Sequence, residues 1–271
     1  MPFRPTSLLS CALFLVLPAA ASAQDSAPSA EELAKTLANP IASLISVPFQ
    51  FNYDDGYGSD GDGSRSLLNI QPVIPFSIGE NWNVISRTIL PVLSQDDVIG
   101  NTSQSGIGDI VQSFFFSPKQ PTSNGVIWGV GPVFLLPTAS DDALGLDQFA
   151  IGPTGVALKQ TGPWTYGGLA NHLWDVGGDN ADINSTFLQP FLSYTTPTAW
   201  TFTVNSESTY DWEQEQWSAP VNFTVAKLAT FGKQPVSLGG GIRYWLDSPD
   251  GGPDDIGFRV FATFLFPKSP G

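Results

Sequence analysis

The chain carries a single histidine, His172, beside Asn171. A histidine backed by an amide or carboxylate could act as the base for a serine nucleophile in an ester or lipid hydrolase. The G-x-S-x-G elbow that presents such a serine is absent from the sequence. One histidine and one cysteine, Cys11, also leave too few ligands for a zinc site. Asp60-Gly61-Asp62-Gly63 invites a calcium reading, but an EF-hand starting at Asp60 needs glycine sixth and glutamate twelfth, where Arg65 and Gln71 stand. Clustered loop carboxylates still suit loosely held divalent cations. The expectation from these residues is no enzyme, no metal centre and no cofactor. Charges inside hydrophobic stretches say more: Arg87, Asp109, Glu207, Arg243 and Arg259. An arginine facing lipid at mid-depth of a membrane strand costs about 2–4 kcal/mol. These residues are therefore expected to face an interior, where opposite charges pair or line a path.

Which elements would hold them follows from composition. The 271 residues are 42% hydrophobic, 12% aromatic and only 13% charged, with 27 Gly and 23 Pro. So few charges cannot cover a soluble surface of this size. The Gly and Pro content excludes long helical bundles, and 19 Phe with 8 Trp exclude disorder. A net charge of −14 argues against nucleic acid as a partner. An all-β protein remains, either a soluble sandwich or a membrane barrel.

Residues 1–23 read as a secretory signal peptide, with Arg4 before an apolar run over 8–17 and Ala21-Ser22-Ala23 as the cleavage site. Cys11 precedes most of that run, which disfavours a lipoprotein signal. The remainder lacks cysteine, so disulfides and thiol chemistry are excluded. No later stretch is long and apolar enough for a membrane helix, so a membrane location requires a closed barrel. Residues 24–40 form a periplasmic segment. Within it, Ser29 and Glu32 predict a capping box opening a helix over 30–38 that Asn39-Pro40 stops. The barrel is expected over 41–271.

From Ile41 the sequence breaks into twelve β-type segments, near 43–54, 65–78, 81–93, 106–118, 125–137, 147–160, 163–174, 185–196, 199–211, 216–230, 235–247 and 255–267. In the last, Phe258, Val260, Phe264 and Phe266 alternate with Arg259 and Thr263, the pattern of a strand between lipid and a wet lumen. The third, fourth and seventh segments alternate poorly. Connections alternate in kind, long and acidic then short, placing 19 of the 25 acidic residues at one end. The tryptophans gather near segment ends, as indoles do at the lipid headgroup level. Pro72, Pro75, Pro132, Pro153, Pro190 and Pro220 fall within segments and are expected to mark bulges, with the edges of a sandwich as the competing account.

Asn39-Pro40-Ile41-Ala42-Ser43-Leu44-Ile45-Ser46-Val47-Pro48-Phe49-Gln50-Phe51-Asn52-Tyr53 carries a resemblance, extended by Gly106-Ile107-Gly108-Asp109-Ile110, Phe114-Phe115-Phe116-Ser117-Pro118, Gly131-Pro132, Asn171-His172, Gln189-Pro190-Phe191 and Lys233-Gln234-Pro235-Val236. In these motifs the chain resembles bacterial outer-membrane proteins described as transporters of the meta-pathway of phenol degradation, some labelled neuromedin U. The resemblance implies an outer-membrane barrel taking up small, aromatic or hydrophobic compounds, and no catalytic residues. The sequence therefore predicts an antiparallel transmembrane β-barrel of about twelve strands in the outer membrane, acting as a passive channel or transporter. Expected partners are outer-membrane lipid and lipopolysaccharide, the barrel assembly machinery and a small-molecule substrate. The alternative is a non-conducting structural or partner-binding barrel with acidic, cation-binding loops. A barrel hydrolase around His172 is the third reading.

Overall fold

The computed structural model describes residues 28–177, 182–254 and 256–267. The signal peptide expected over 1–23 and its cleavage site lie outside the described residues, as do Asp179, Asp255 and Lys268. A helix α1 (Ala30–Leu37) precedes fifteen strands. These are β1 (Ile45–Tyr57), β2 (Gly63–Ile70), β3 (Val73–Ile78), β4 (Trp82–Asp96), β5 (Ser103–Ile107), β6 (Ile110–Pro118), β7 (Val126–Leu136), β8 (Ala150–Thr161), β9 (Trp164–Asp175), β10 (Asn184–Thr195), β11 (Trp200–Ser206), β12 (Ser208–Asp211), β13 (Gln216–Phe231), β14 (Gln234–Asp247) and β15 (Ile256–Phe266). β2 with β3, β5 with β6, and β11 with β12 are each one strand briefly interrupted, which makes twelve antiparallel staves. β1 pairs with β15 from Ile45↔Phe266 to Tyr53↔Phe258, closing the barrel without a free edge.

Alternation decides the faces. In β15, Phe258, Val260, Phe264 and Phe266 are exposed outside, while Arg259, Thr263 and Leu265 are buried inside. In register with them, Phe49, Phe51 and Tyr53 of β1 point outward, and Gln50 and Asn52 inward. Tyr53 stacks on Phe258 at 5.1 Å and Phe49 meets Phe264 edge-on at 5.9 Å, so the seam is packed on its outer side. An exposed apolar belt around a closed sheet is what lipid requires. Trp82, Trp128, Trp164 and Trp200 stand near its turn end, and Trp174, Trp212 and Trp217 near its loop end. Trp245 departs from that belt and points inward.

The staves that alternate poorly do so for a physical reason. On β4 the inner face carries Ile85, buried with Phe115, Val156, Leu158 and Leu169 in an apolar interior wall. On the outer face Ser86 and Thr88 oppose Phe114 and Gln112. The Gln112 amide donates to Ser86 at 3.0 Å and accepts from Thr88 at 2.6 Å. These three groups satisfy one another, which lowers the cost of polar atoms on that face. Greasy-in and polar-out inverts the usual signal.

The expectation that prolines mark bulges is corrected. Of those six, only Pro220 lies at a register shift, which falls between it and Ala219. A second shift, between Asp55 and Tyr57, has no proline. A further extra residue lies at the β5–β6 break, where β4 advances from Ile89 to Val92 while its partner runs from Val111 back to Ile107; Pro91, outside the six, stands opposite it, and its carbonyl accepts the Gly108 amide at 3.0 Å. Pro132 and Pro153 instead face each other across a β7–β8 ladder that stays continuous. The β6–β7 and β8–β9 ladders skip pairs beside them, so each missing amide falls on the side away from the other proline. Gly131 and Gly152, just before them, lie where a Cβ would meet the carbonyls of Phe114 and His172. Glycine lets the neighbouring staves stay close where a rung is lost.

Candidate functional site

Helix α1 sits inside the turn-side mouth. Ser29 caps it: its Oγ accepts the Glu32 amide at 3.2 Å, and Glu32 Oε2 accepts the Ser29 amide at 2.7 Å. The Ser29 amide most, and the Ser29 hydroxyl second, hold the Glu32 carboxyl below its ordinary pKa. After Asn39-Pro40, whose Asn39 Oδ1 accepts the Ile41 amide at 3.0 Å, the chain turns toward β1. Leu33 and Ala34 bury against Ala42, Leu44, Ala199, Leu228 and Leu265, with Leu37 packed alongside. Gln160 donates to the Lys35 carbonyl at 2.7 Å and Asn83 to Ser43 at 2.7 Å. The amphipathic segment is thereby pinned to opposite sides of the barrel wall.

Above it lies a girdle of charge. Register puts Asn52 beside Arg259, and Asn222 beside Arg243. Arg259 grips Glu207 with both terminal nitrogens, at 3.0 and 2.6 Å, and donates its Nε to Asn52 at 2.7 Å. Arg243 bridges Asp54 at 3.1 Å and Glu207 at 3.5 Å. Asp54 also accepts the indole N–H of Trp245 at 2.9 Å, and the Arg243 guanidinium lies over the Trp245 ring at 5.1 Å. Arg87 projects into the same interior and donates to Gln71 at 3.1 Å. Closer to the loops, Arg65 lies over Tyr57 at 4.6 Å and donates to Gln95 at 3.0 Å. The girdle's three arginines outnumber its two carboxylates, so the interior is basic within an acidic protein.

The girdle divides the interior. A cavity of about 250 Å³ lies between it and α1, bordered by Arg87 and Arg259. A second of about 460 Å³ opens toward the loops, bordered by Asp54, Arg65, Arg243 and Trp245. Opposite the polar staves stands the apolar wall of Ile85, Phe115, Val156, Leu158 and Leu169. Such an interior offers hydrogen bonds and charge on one side and a greasy surface on the other.

Of the sequence-predicted residues, Glu207, Arg243 and Arg259 meet in one network and Arg87 lies nearby. Asp109 stands apart. Its carboxylate accepts the amides of Thr138 and Ala139, both at 3.0 Å, and of Leu146 at 2.7 Å. It holds the β7–β8 loop, including the short 3-10 turn Asp142–Leu144, against the loop-side mouth. Backbone amides, and not lysines or arginines, are its partners because the β5–β6 bulge places it at the rim. His172 lies on the outer face. Its Nδ1 meets the Thr186 hydroxyl at 2.7 Å, Trp212 donates to that same hydroxyl at 2.9 Å, and the Trp174 ring lies 4.1 Å away. The Thr186 hydroxyl thus lies within reach of the imidazole, but among the described residues His172 Nε2 has no hydrogen-bond partner, so the third group that would orient a nucleophile–base pair is missing.

Asn52, Asp54, Gln71 and Trp245 are site residues that the sequence reading did not single out. The alternation of Gln50, Asn52 and Asp54 with Phe49, Phe51 and Tyr53 was the available signal.

No family model matches the chain, and no curated protein matches it. Solved structures do. The COG4313 outer membrane channel from Pseudomonas putida F1 is 12% identical with a TM-score of 0.65, covering 83% of this chain and 96% of that one. The β domain of the Bordetella autotransporter BrkA gives 9% and 0.48 over 83% and 100%, and the outer membrane phospholipase of Salmonella typhi 11% and 0.45 over 87% and 98%. Similarity at this level concerns the fold, and the fold of this chain is that of a bacterial outer-membrane β-barrel.

Proposed function

We propose that this chain is a passive channel or transporter of the outer membrane for small molecules with an apolar part, reached after removal of the signal peptide near Ala23. The observation that carries the reading is the interior: cavities of about 250 and 460 Å³ lie on either side of the Arg243–Glu207–Arg259 girdle. A barrel built only as an anchor gains nothing from that space. The apolar wall opposite the girdle supports substrates larger than ions, in keeping with the resemblance to transporters of aromatic compounds. Docking of α1 supports a gated rather than a constantly open path.

The test is planar-bilayer conductance of the mature protein beside a variant lacking residues 28–42. Small, steady currents that grow in the shortened variant support the channel. Silence in both, with both correctly folded, overturns it. The second reading, a structural barrel whose acidic loops hold divalent cations and lipopolysaccharide, is favoured by the docked plug and the ion-paired girdle, which both lie across the lumen. That outcome would leave it standing.

A further inference from the structure

The cavity between α1 and the girdle has an unusual charge lining. Among the described residues that line it, the charged ones are Arg87 and Arg259. The nearby acid, Glu207, is already spent: Oε1 accepts from Arg259, and Oε2 accepts from Arg259 and lies 3.5 Å from Arg243. Asp54 is taken by Arg243 and Trp245. Among the described residues Arg87 forms no ion pair, and its hydrogen bond goes to the neutral amide of Gln71. Glu207 attracts Arg87 only from beyond ion-pair distance, so a guanidinium drawn out of bulk water is left partly compensated, and an anion in direct contact would complete the compensation. The remaining polar lining is uncharged, including Gln50, Gln189 and Asn205, so nothing there repels an anion.

The apolar part of the lining is formed by Leu37 and Pro40 from the plug and by Phe191 and Phe261 from the barrel. We propose that Arg87, assisted by Arg259, binds the carboxylate of a small organic acid whose apolar body rests against these four residues. The guanidinium fork matches a planar carboxylate. The volume of about 250 Å³ lies just under the usual span of small-molecule pockets, about 300–1,000 Å³. It fits an acid the size of a single substituted ring. The inference rests on the channel reading for how the acid arrives, and it adds the chemical class of what is carried.

The experiment uses the mature protein folded in detergent, titrated calorimetrically with benzoate, with benzamide as its neutral counterpart, and with inorganic phosphate. Benzoate is expected to bind at least tenfold more tightly than benzamide or phosphate. Arg87→Gln should erase that margin and Arg87→Lys keep part of it, with heat-modifiable gel mobility confirming that each is folded. If Arg87→Gln does not fold, Leu37→Trp fills the cavity without altering either arginine and should weaken benzoate at least tenfold. Equal binding of benzoate and benzamide overturns the proposal, as does phosphate binding as tightly as benzoate. Undiminished benzoate binding in folded Arg87→Gln or Leu37→Trp overturns it too. Benzoate binding by a protein that passes no current would uphold this site while removing the channel. Current from a protein that does not distinguish benzoate from benzamide would do the reverse.

Discussion

Glu207 stands across from Pro220, bracketed by Ser206↔Val221 and Thr209↔Ser218. Proline has no amide to give, so the ladder lapses there. On the other flank the β10 ladder skips from Leu188↔Ser208 to Phe191↔Asn205, beside Pro190. The acid gripped by two lumen arginines therefore keeps only half a rung to β13, its own amide donating to the Pro220 carbonyl at 3.4 Å. Its carboxylate is positioned by those arginines more than by the sheet.

Removing that acid should be costly. Glu207→Gln leaves Arg243 and Arg259 facing each other without their shared counter-charge. Breaking a fully buried pair costs about 3–5 kcal/mol, and less is expected here because the Glu207 side chain stays 21% exposed. In detergent, the temperature at which the heat-modifiable form is lost should fall. Adding Arg259→Gln should recover part of the loss, and a double mutant with strictly additive losses would refute the coupling.

Leu33 is the plug's deepest anchor on helix α1 with Ala34. Leu33→Asp sets a charge among Leu44, Leu228 and Leu265 and should release the helix from the mouth. Single-channel records are expected to show longer open times at unchanged barrel stability. Unaltered records would mean that Leu33 does not hold the mouth closed.

Acid should loosen the same plug. Because Ser29 depresses the Glu32 pKa in the folded helix, the cap stabilises α1 above the carboxyl's ordinary value. That support is lost as pH falls through the depressed value. Open probability should rise on acidification, and Glu32→Ala should open more readily at neutral pH with a smaller acid response. A response of the same size in Glu32→Ala would place the acid sensor elsewhere.

Asp109→Ala deprives three amides of their acceptor. Hydrogen exchange at Thr138, Ala139 and Leu146 should accelerate at least tenfold while the strands stay protected. Cleavage within the β7–β8 loop by an added protease offers an independent readout. Unchanged exchange would show that the loop is held by other contacts, Leu144 first among them.

Brominated lipid separates the tryptophans. Trp200, outward at the turn end, should contribute strongly to quenching, whereas Trp245, bonded to Asp54 inside, should not. Trp245→Phe should therefore raise the quenched fraction of total emission and Trp200→Phe lower it. The opposite ordering would invert the assigned faces of β11 and β14.

Twelve staves, their order, their ends and the capped helix were legible because they follow from local signals: turn residues, alternation in β11, β14 and β15, and the Ser29–Glu32 spacing. The faces of β4, β6 and β9 were not legible, since hydrophobicity there reports an apolar interior wall instead of lipid. Arg87 was placed inside by the cost of the alternative. The same reasoning could not see that Asp109 would find backbone amides, because that depends on a bulge one residue long. Proline read as distortion proved to be an ordered loss of rungs at Pro132 and Pro153. The docking of α1 is a long-range event that no window of residues contains.

That docking surface has an order of assembly built into it. Leu44 precedes the first strand, Leu265 belongs to the last, and Leu228 and Ala199 come from between. The groove that receives Leu33 thus does not exist until the first and last strands have met. A helix made early must wait for the end of the chain, and its seating can serve as a timestamp for the closing of the ring.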